Sequence, residues 1–92
     1  MYIITVKGKE KEGAYSVVDD DGEQVLYIFQ ENDDAFRYAL QLEDLDYPIM
    51  SVLEIEDEVM IKTCEIHGHR YAIITSNDIV MPPDQDTKHD YI

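Results

Sequence analysis

The chain has 92 residues, 45% of them hydrophobic, with 7 bases against 21 acids, a net charge of −14 and one cysteine. That length and apolar content suit one domain with one modest core, and a lone Cys64 excludes a disulfide framework. Charge of this sign and density repels nucleic acid and anionic membrane, so neither is expected as a direct partner.

Tyr2 to Val6 is a short apolar run that reads as a strand ended by Lys7-Gly8. The opening stretch, MYIITVKGKEKEG, is too short in apolar residues for a signal segment. No later stretch is long enough to span a bilayer, so the predicted setting is cytoplasmic. Lys7 to Gly13 is a mixed-charge loop, and its Lys7, Lys9 and Lys11 form the only basic patch. Ala14 to Val18 and Gln24 to Gln30 are β-rich runs separated by Asp19-Asp20-Asp21-Gly22-Glu23. The Asp-Gly step predicts a hairpin, because both residues tolerate positive φ.

Asn32 is placed to N-cap a helix, with Asp33 and Asp34 complementing the positive end of its dipole. The helix is predicted from Asp33 to about Asp46, ending before Tyr47-Pro48 because the residue before proline avoids the α region. Ala35, Tyr38, Ala39, Leu42 and Leu45 form its apolar face, and Phe36 and Leu40 extend that face sideways. This helix lies inside the most acidic part of the chain. Fourteen acids and one base, Arg37, fall between Asp19 and Glu58.

Ile49 to Ile55 reads as a strand. Asp57 is placed to cap a second helix from Glu58 to His67, with Gly68 as its left-handed stop. Val59, Met60, Thr63, Cys64, Ile66 and His67 share a face of that helix. A competing reading makes 59–63 a strand and His67-Gly68-His69 a turn; the helix is preferred. Arg70 to Thr75 is a strand, and Ile79 to Met81 is a short edge strand stopped by Pro82-Pro83. Residues 1–83 are thus a single domain, and Asp84 to Ile92 is an acidic flexible tail. The predicted fold is α+β: a two-layer sandwich with a mixed or antiparallel sheet of four to six strands and two helices on one face, related to ferredoxin-like folds.

Several segments resemble a small uncharacterised family, domain of unknown function 3110. They are Glu12-Gly13-Ala14-Tyr15-Ser16-Val17, the helix run from Asp33 to Glu43, Tyr47-Pro48, and Ile79-Val80-Met81-Pro82-Pro83. The resemblance covers most of residues 1–84. It implies a cyanobacterial or cyanophage setting and a helix containing a cysteine at 58–67. It supplies no activity and no catalytic residue. His67-Gly68-His69 and the acidic tail depart from the family pattern.

Candidate chemistry is sparse. Cys64, His67 and His69 form C-x-x-H-x-H, but a structural zinc site needs a fourth ligand, and Cys64 lies on an apolar face. Asp19 to Glu23 lacks the ligand spacing of a calcium loop. Glu54, Glu56, Asp57 and Glu58 read as a solvated helix start rather than an acid–base pair. No nucleophile stands beside a base, and no glycine-rich loop is present to cradle phosphate. The expectation is therefore no catalytic residue, no metal and no cofactor. The chain reads as a small non-enzymatic protein-binding module acting through Phe36 and Leu40, with Asp33, Asp34, Glu43 and Asp44 as an acidic rim. Its partner would be another protein with a basic surface, or a second copy. The alternatives are a nucleic-acid mimic that inhibits a DNA- or RNA-binding protein, and a metal or redox site at Cys64, His67 and His69.

Overall fold

The computed structural model describes residues 1–78, residue 80 and residues 89–91. Among these residues six strands and two α-helices follow one another as β1 (Tyr2–Val6), β2 (Tyr15–Val18), β3 (Gln24–Phe29), α1 (Asn32–Asp44), β4 (Met50–Glu54), α2 (Asp57–His67), β5 (Arg70–Ile74) and β6 (His89–Tyr91), with one 3-10 turn at Glu10–Glu12. The sheet order is β4-β1-β3-β2-β6, and β5 joins β3. Every pairing is antiparallel except β3 with β5, which is parallel in the register Val25↔Arg70 to Phe29↔Ile74. The α+β class and the mixed sheet are as the sequence predicts.

The helices do not share a face. Ile4 and Phe29 pack with Ala35, Tyr38, Ala39 and Leu42 of α1, whereas their neighbours Ile3 and Ile28 pack with Met60 and Cys64 of α2. Adjacent residues of a strand point to opposite sides, so α1 and α2 cover opposite faces and the layers number three. Topology gives the reason. β3, β4 and β5 run in one direction, because β1 is antiparallel to both β3 and β4. The β3-α1-β4 connection crosses the sheet one way, and β4-α2-β5 crosses back. Right-handed crossovers that reverse direction must use opposite faces.

Local chemistry explains the remaining elements. The Asp19 carboxylate accepts the N–H groups of Asp21 (3.0 Å) and Glu23 (2.9 Å), which closes the β2–β3 hairpin. Arg70, at the start of β5, pairs with Asp19 (3.2 Å) and Glu23 and ties that hairpin to β5. α1 begins at Asn32, with Glu31 at the N-cap position and no side-chain capping bond, so the cap expected of Asn32 is not made. Likewise Glu56, not Asp57, precedes α2. Both helices close alike. In α1 the Tyr47 N–H donates to Leu42 O and Asp46 N–H to Glu43 O; in α2 the His69 N–H donates to Cys64 O and Gly68 N–H to Glu65 O. The left-handed residue is Gly68 (φ 68°) in one and Asp46 (φ 67°) in the other. Both helices are therefore stopped by a Schellman turn.

Of the segment expected to be a tail, His89–Tyr91 form β6 and pair with β2 in the register Tyr15↔Tyr91 to Val17↔His89. Three residues, His-Asp-Tyr, carry too little pattern to announce a strand; the open edge of β2 selects them. The predicted edge strand at 79–81 lies, except for Val80, outside the described residues, as do residues 84–88 and 92.

Candidate functional site

The core fixes which side of α1 remains free. Tyr38 points inward among Tyr15, Tyr27 and Phe29, with ring centroids 5.6, 5.9 and 5.6 Å away. Its hydroxyl lies 3.2 Å from that of Tyr15, and both rings are buried. One flank of α1, carrying Asp34, Arg37 and Gln41, looks across a cavity of about 250 Å³ toward Ile74 and Ser76. That is the β5 side of the sheet. The other flank therefore lies on the β4 side of the sheet. It carries Phe36, 56% exposed, and Leu40, 45% exposed.

Phe36 and Leu40 are one turn apart and adjacent on the helix surface. At about 100° per residue, Glu43, Asp33 and Asp44 fall on either side of them. Asp33 and Asp44 are exposed and Glu43 is half-buried. Asp34 does not join this group. It sits on the opposite flank, 19% exposed, with one carboxylate oxygen 3.6 Å from Arg37 and the other buried without a hydrogen-bond partner among the described residues. The structure thus brings five of the six expected surface residues together and separates Asp34 from them.

α2 is buried through Met60 and Cys64 only. Val59 and Ile66, placed by sequence on its inner face, are instead 52% and 78% exposed. They lie seven residues apart, roughly 10 Å along the axis, so they do not touch as Phe36 and Leu40 can. Plotting α2 with Met60 and Cys64 at its centre puts both on the far side, a signal already present in the residue spacing.

The candidate chemistry at Cys64, His67 and His69 does not converge. Cys64 is fully buried, and burial raises its thiol above the ordinary value, so little thiolate is present at neutral pH. His67 is exposed, and its ring stacks on His69 at 5.7 Å. Among the described residues no three His, Cys, Asp or Glu side chains are placed to hold a metal ion. These residues do border a cavity of about 320 Å³ between α2 and the sheet, with Thr5, Lys11 and Met60 also on its wall. Glu10, at the same rim, accepts the Gly8 N–H at 3.0 Å and the Ser51 hydroxyl at 3.5 Å, and its carboxyl sits below the ordinary range mainly through the Gly8 bond. Among the described residues no helix is long and apolar enough to cross a membrane.

A family model described as Domain of unknown function (DUF3110) matches residues 1–84. The chain belongs to that family. The DUF3110 match takes in β1 to β5 and both helices, and so includes the Phe36–Leu40 flank and the buried tyrosine pair. Comparison with curated proteins and with solved structures returns no match.

Proposed function

We propose that this DUF3110 domain is a non-enzymatic, regulatory protein-binding module, acting in the cytoplasm of a cyanobacterial or cyanophage system, whose contact surface is the outer flank of α1. The observation that carries the reading is the exposed pair Phe36 and Leu40 beside Asp33, Glu43 and Asp44. A helix resting on a sheet needs one apolar stripe, and Ala35, Tyr38, Ala39 and Leu42 already supply it. Two further large apolar side chains stand outside that stripe with about half of each exposed, and such patches mark contact sites. The carboxylates around them select a partner with a basic surface and speed its approach, while the apolar pair sets the lifetime of the complex. A nucleic-acid mimic would need carboxylates spread at phosphate-like spacing; an apolar patch in the middle of the acidic face favours protein contact.

The test compares the wild type with a Phe36→Ser/Leu40→Ser variant as bait in a native lysate of the source cells. A basic protein held by the wild type, lost from the variant and released by salt is the expected result. Identical retained proteins on both baits would sink the reading.

A further inference from the structure

Among the described residues β4 has an edge that no strand covers, and the register says which of its backbone groups turn away from β1. Among the described residues β4 pairs with β1 alone, from Tyr2↔Glu54 to Val6↔Met50. Lys7 N–H donates to Ile49 O at 2.9 Å, and Ile55 N–H donates to Met1 O at 2.8 Å. Hydrogen-bonded pairs alternate along an antiparallel ladder, so Ile49, Ser51, Leu53 and Ile55 turn their N–H and C=O groups toward β1. Met50, Val52 and Glu54 turn theirs outward, where no described residue meets them. The same three residues place their side chains on the α1 face: Val52 is opposite Ile4, and Met50 and Val52 both pack in the α1 core cluster. A strand laid against this edge would put alternate side chains on the α1 side, beside the flank that carries Phe36 and Leu40.

We propose that the partner adds an extended segment to β4 as a further strand of the sheet. This rests on the reading of α1 as the contact surface and names the partner's form: a β-strand with alternate apolar residues, flanked by lysine or arginine. Main-chain bonds to Met50, Val52 and Glu54 would hold the segment, and its α1-side residues would cover Phe36 and Leu40. Charge decides against a second copy as the occupant. Pairing two β4 edges would bring together the Asp33, Glu43 and Asp44 of two chains that each carry −14. A cationic segment meets the same carboxylates with opposite sign. Such a free edge is a hazard unless it is short or guarded, and β4 is five residues long with Pro48 just before it.

The probe is a capped peptide, Lys-Lys-Val-Thr-Val-Thr-Val-Lys-Lys, titrated into the isotope-labelled protein and followed by amide hydrogen exchange. The expected result is slowed exchange at Met50, Val52 and Glu54, with Ser51 and Leu53 unchanged. Val52→Pro fills the outward position of one N–H with the ring and leaves every β1–β4 bond in place, as proline on an edge strand allows. It should weaken peptide binding by at least about tenfold while the β1–β4 amides stay protected. The same peptide N-methylated at its central valine tests the point without altering the protein and should bind as weakly. Tight binding of the methylated peptide, with no slowing at Val52, overturns strand addition. If Phe36→Ser/Leu40→Ser still abolishes binding in that case, α1 alone remains the contact surface. Slowing that survives the double variant upholds strand addition and removes α1 from the site. Slowing that grows with protein concentration in the absence of peptide assigns the edge to a second copy and overturns the proposal.

Discussion

Single residues set two properties that solution measurements can read. The Tyr15 and Tyr38 hydroxyls face each other inside the core, and burial pushes both phenols well above their ordinary value of 10.0. Below about pH 10 both rings are neutral in the folded and unfolded chain, and the core is undisturbed. Above it the unfolded chain loses phenolic protons that the folded chain keeps, so stability falls as pH rises. Urea midpoints should therefore decline above about pH 10, and two of the tyrosines should ionise only as the fold is lost, seen as a late step in tyrosinate absorbance. The left-handed helix stops are the second case. Gly68 has no side chain to oppose φ 68°, and a Cβ there would meet nothing within 4 Å, so strain is the only cost of adding one. Gly68→Ala should lower stability by about 1 kcal/mol in denaturant unfolding. Asp46 holds the same conformation with a side chain, and Asp46→Gly should raise stability by roughly 0.5–1 kcal/mol.

At the scale of elements, α1 has an inner face that holds the fold and an outer flank that does not. Leu42 is fully buried among Ala35, Tyr38 and Ala39. Leu42→Ala should cost about 2–5 kcal/mol, by lost burial and the cavity left behind. Phe36→Ser and Leu40→Ser together should move the melting temperature little, because exposed positions contribute about 0.5 kcal/mol or less each. A double variant that melts as early as Leu42→Ala would make both residues core and remove the proposed surface. The β2–β3 hairpin shows a different division. Its Asp-rich tip reads as a turn from sequence, and Asp19 is occupied by the turn's own N–H groups and by Arg70.

Across the whole molecule, the net charge of −14 works against compaction. Among the described residues the side-chain ion pairs are those of Arg37 with Asp34 and of Arg70 with Asp19 and Glu23, so many carboxylates repel one another through water. Added salt shortens the reach of that repulsion, and the melting temperature should climb from low salt to about 0.3 M near neutral pH. A flat or falling curve would mean that the acids are paired or well separated. Helix and strand periods, the Asp-Gly hairpin and the Gly68 stop are local, so spacing and residue type sufficed for both helices and the first five strands. The exposed pair Phe36 and Leu40 was also legible, because a helix period places them off the stripe that Ala35, Tyr38, Ala39 and Leu42 complete. Which face each helix covers was not, because it depends on the order in which distant strands pair and on the hand of their crossovers. The same holds for Asp34, which shares the acidic first turn with Asp33 in sequence and is turned toward β5 by the packing of Tyr38. β6 could not be foreseen, since three residues mean nothing until β2 offers them an edge. The amino-acid sequence alone determined the local elements, the net charge and the family; the tertiary structure alone decided the opposite helices and which backbone groups of β4 turn away from β1, because both arise from contacts between residues far apart in the chain.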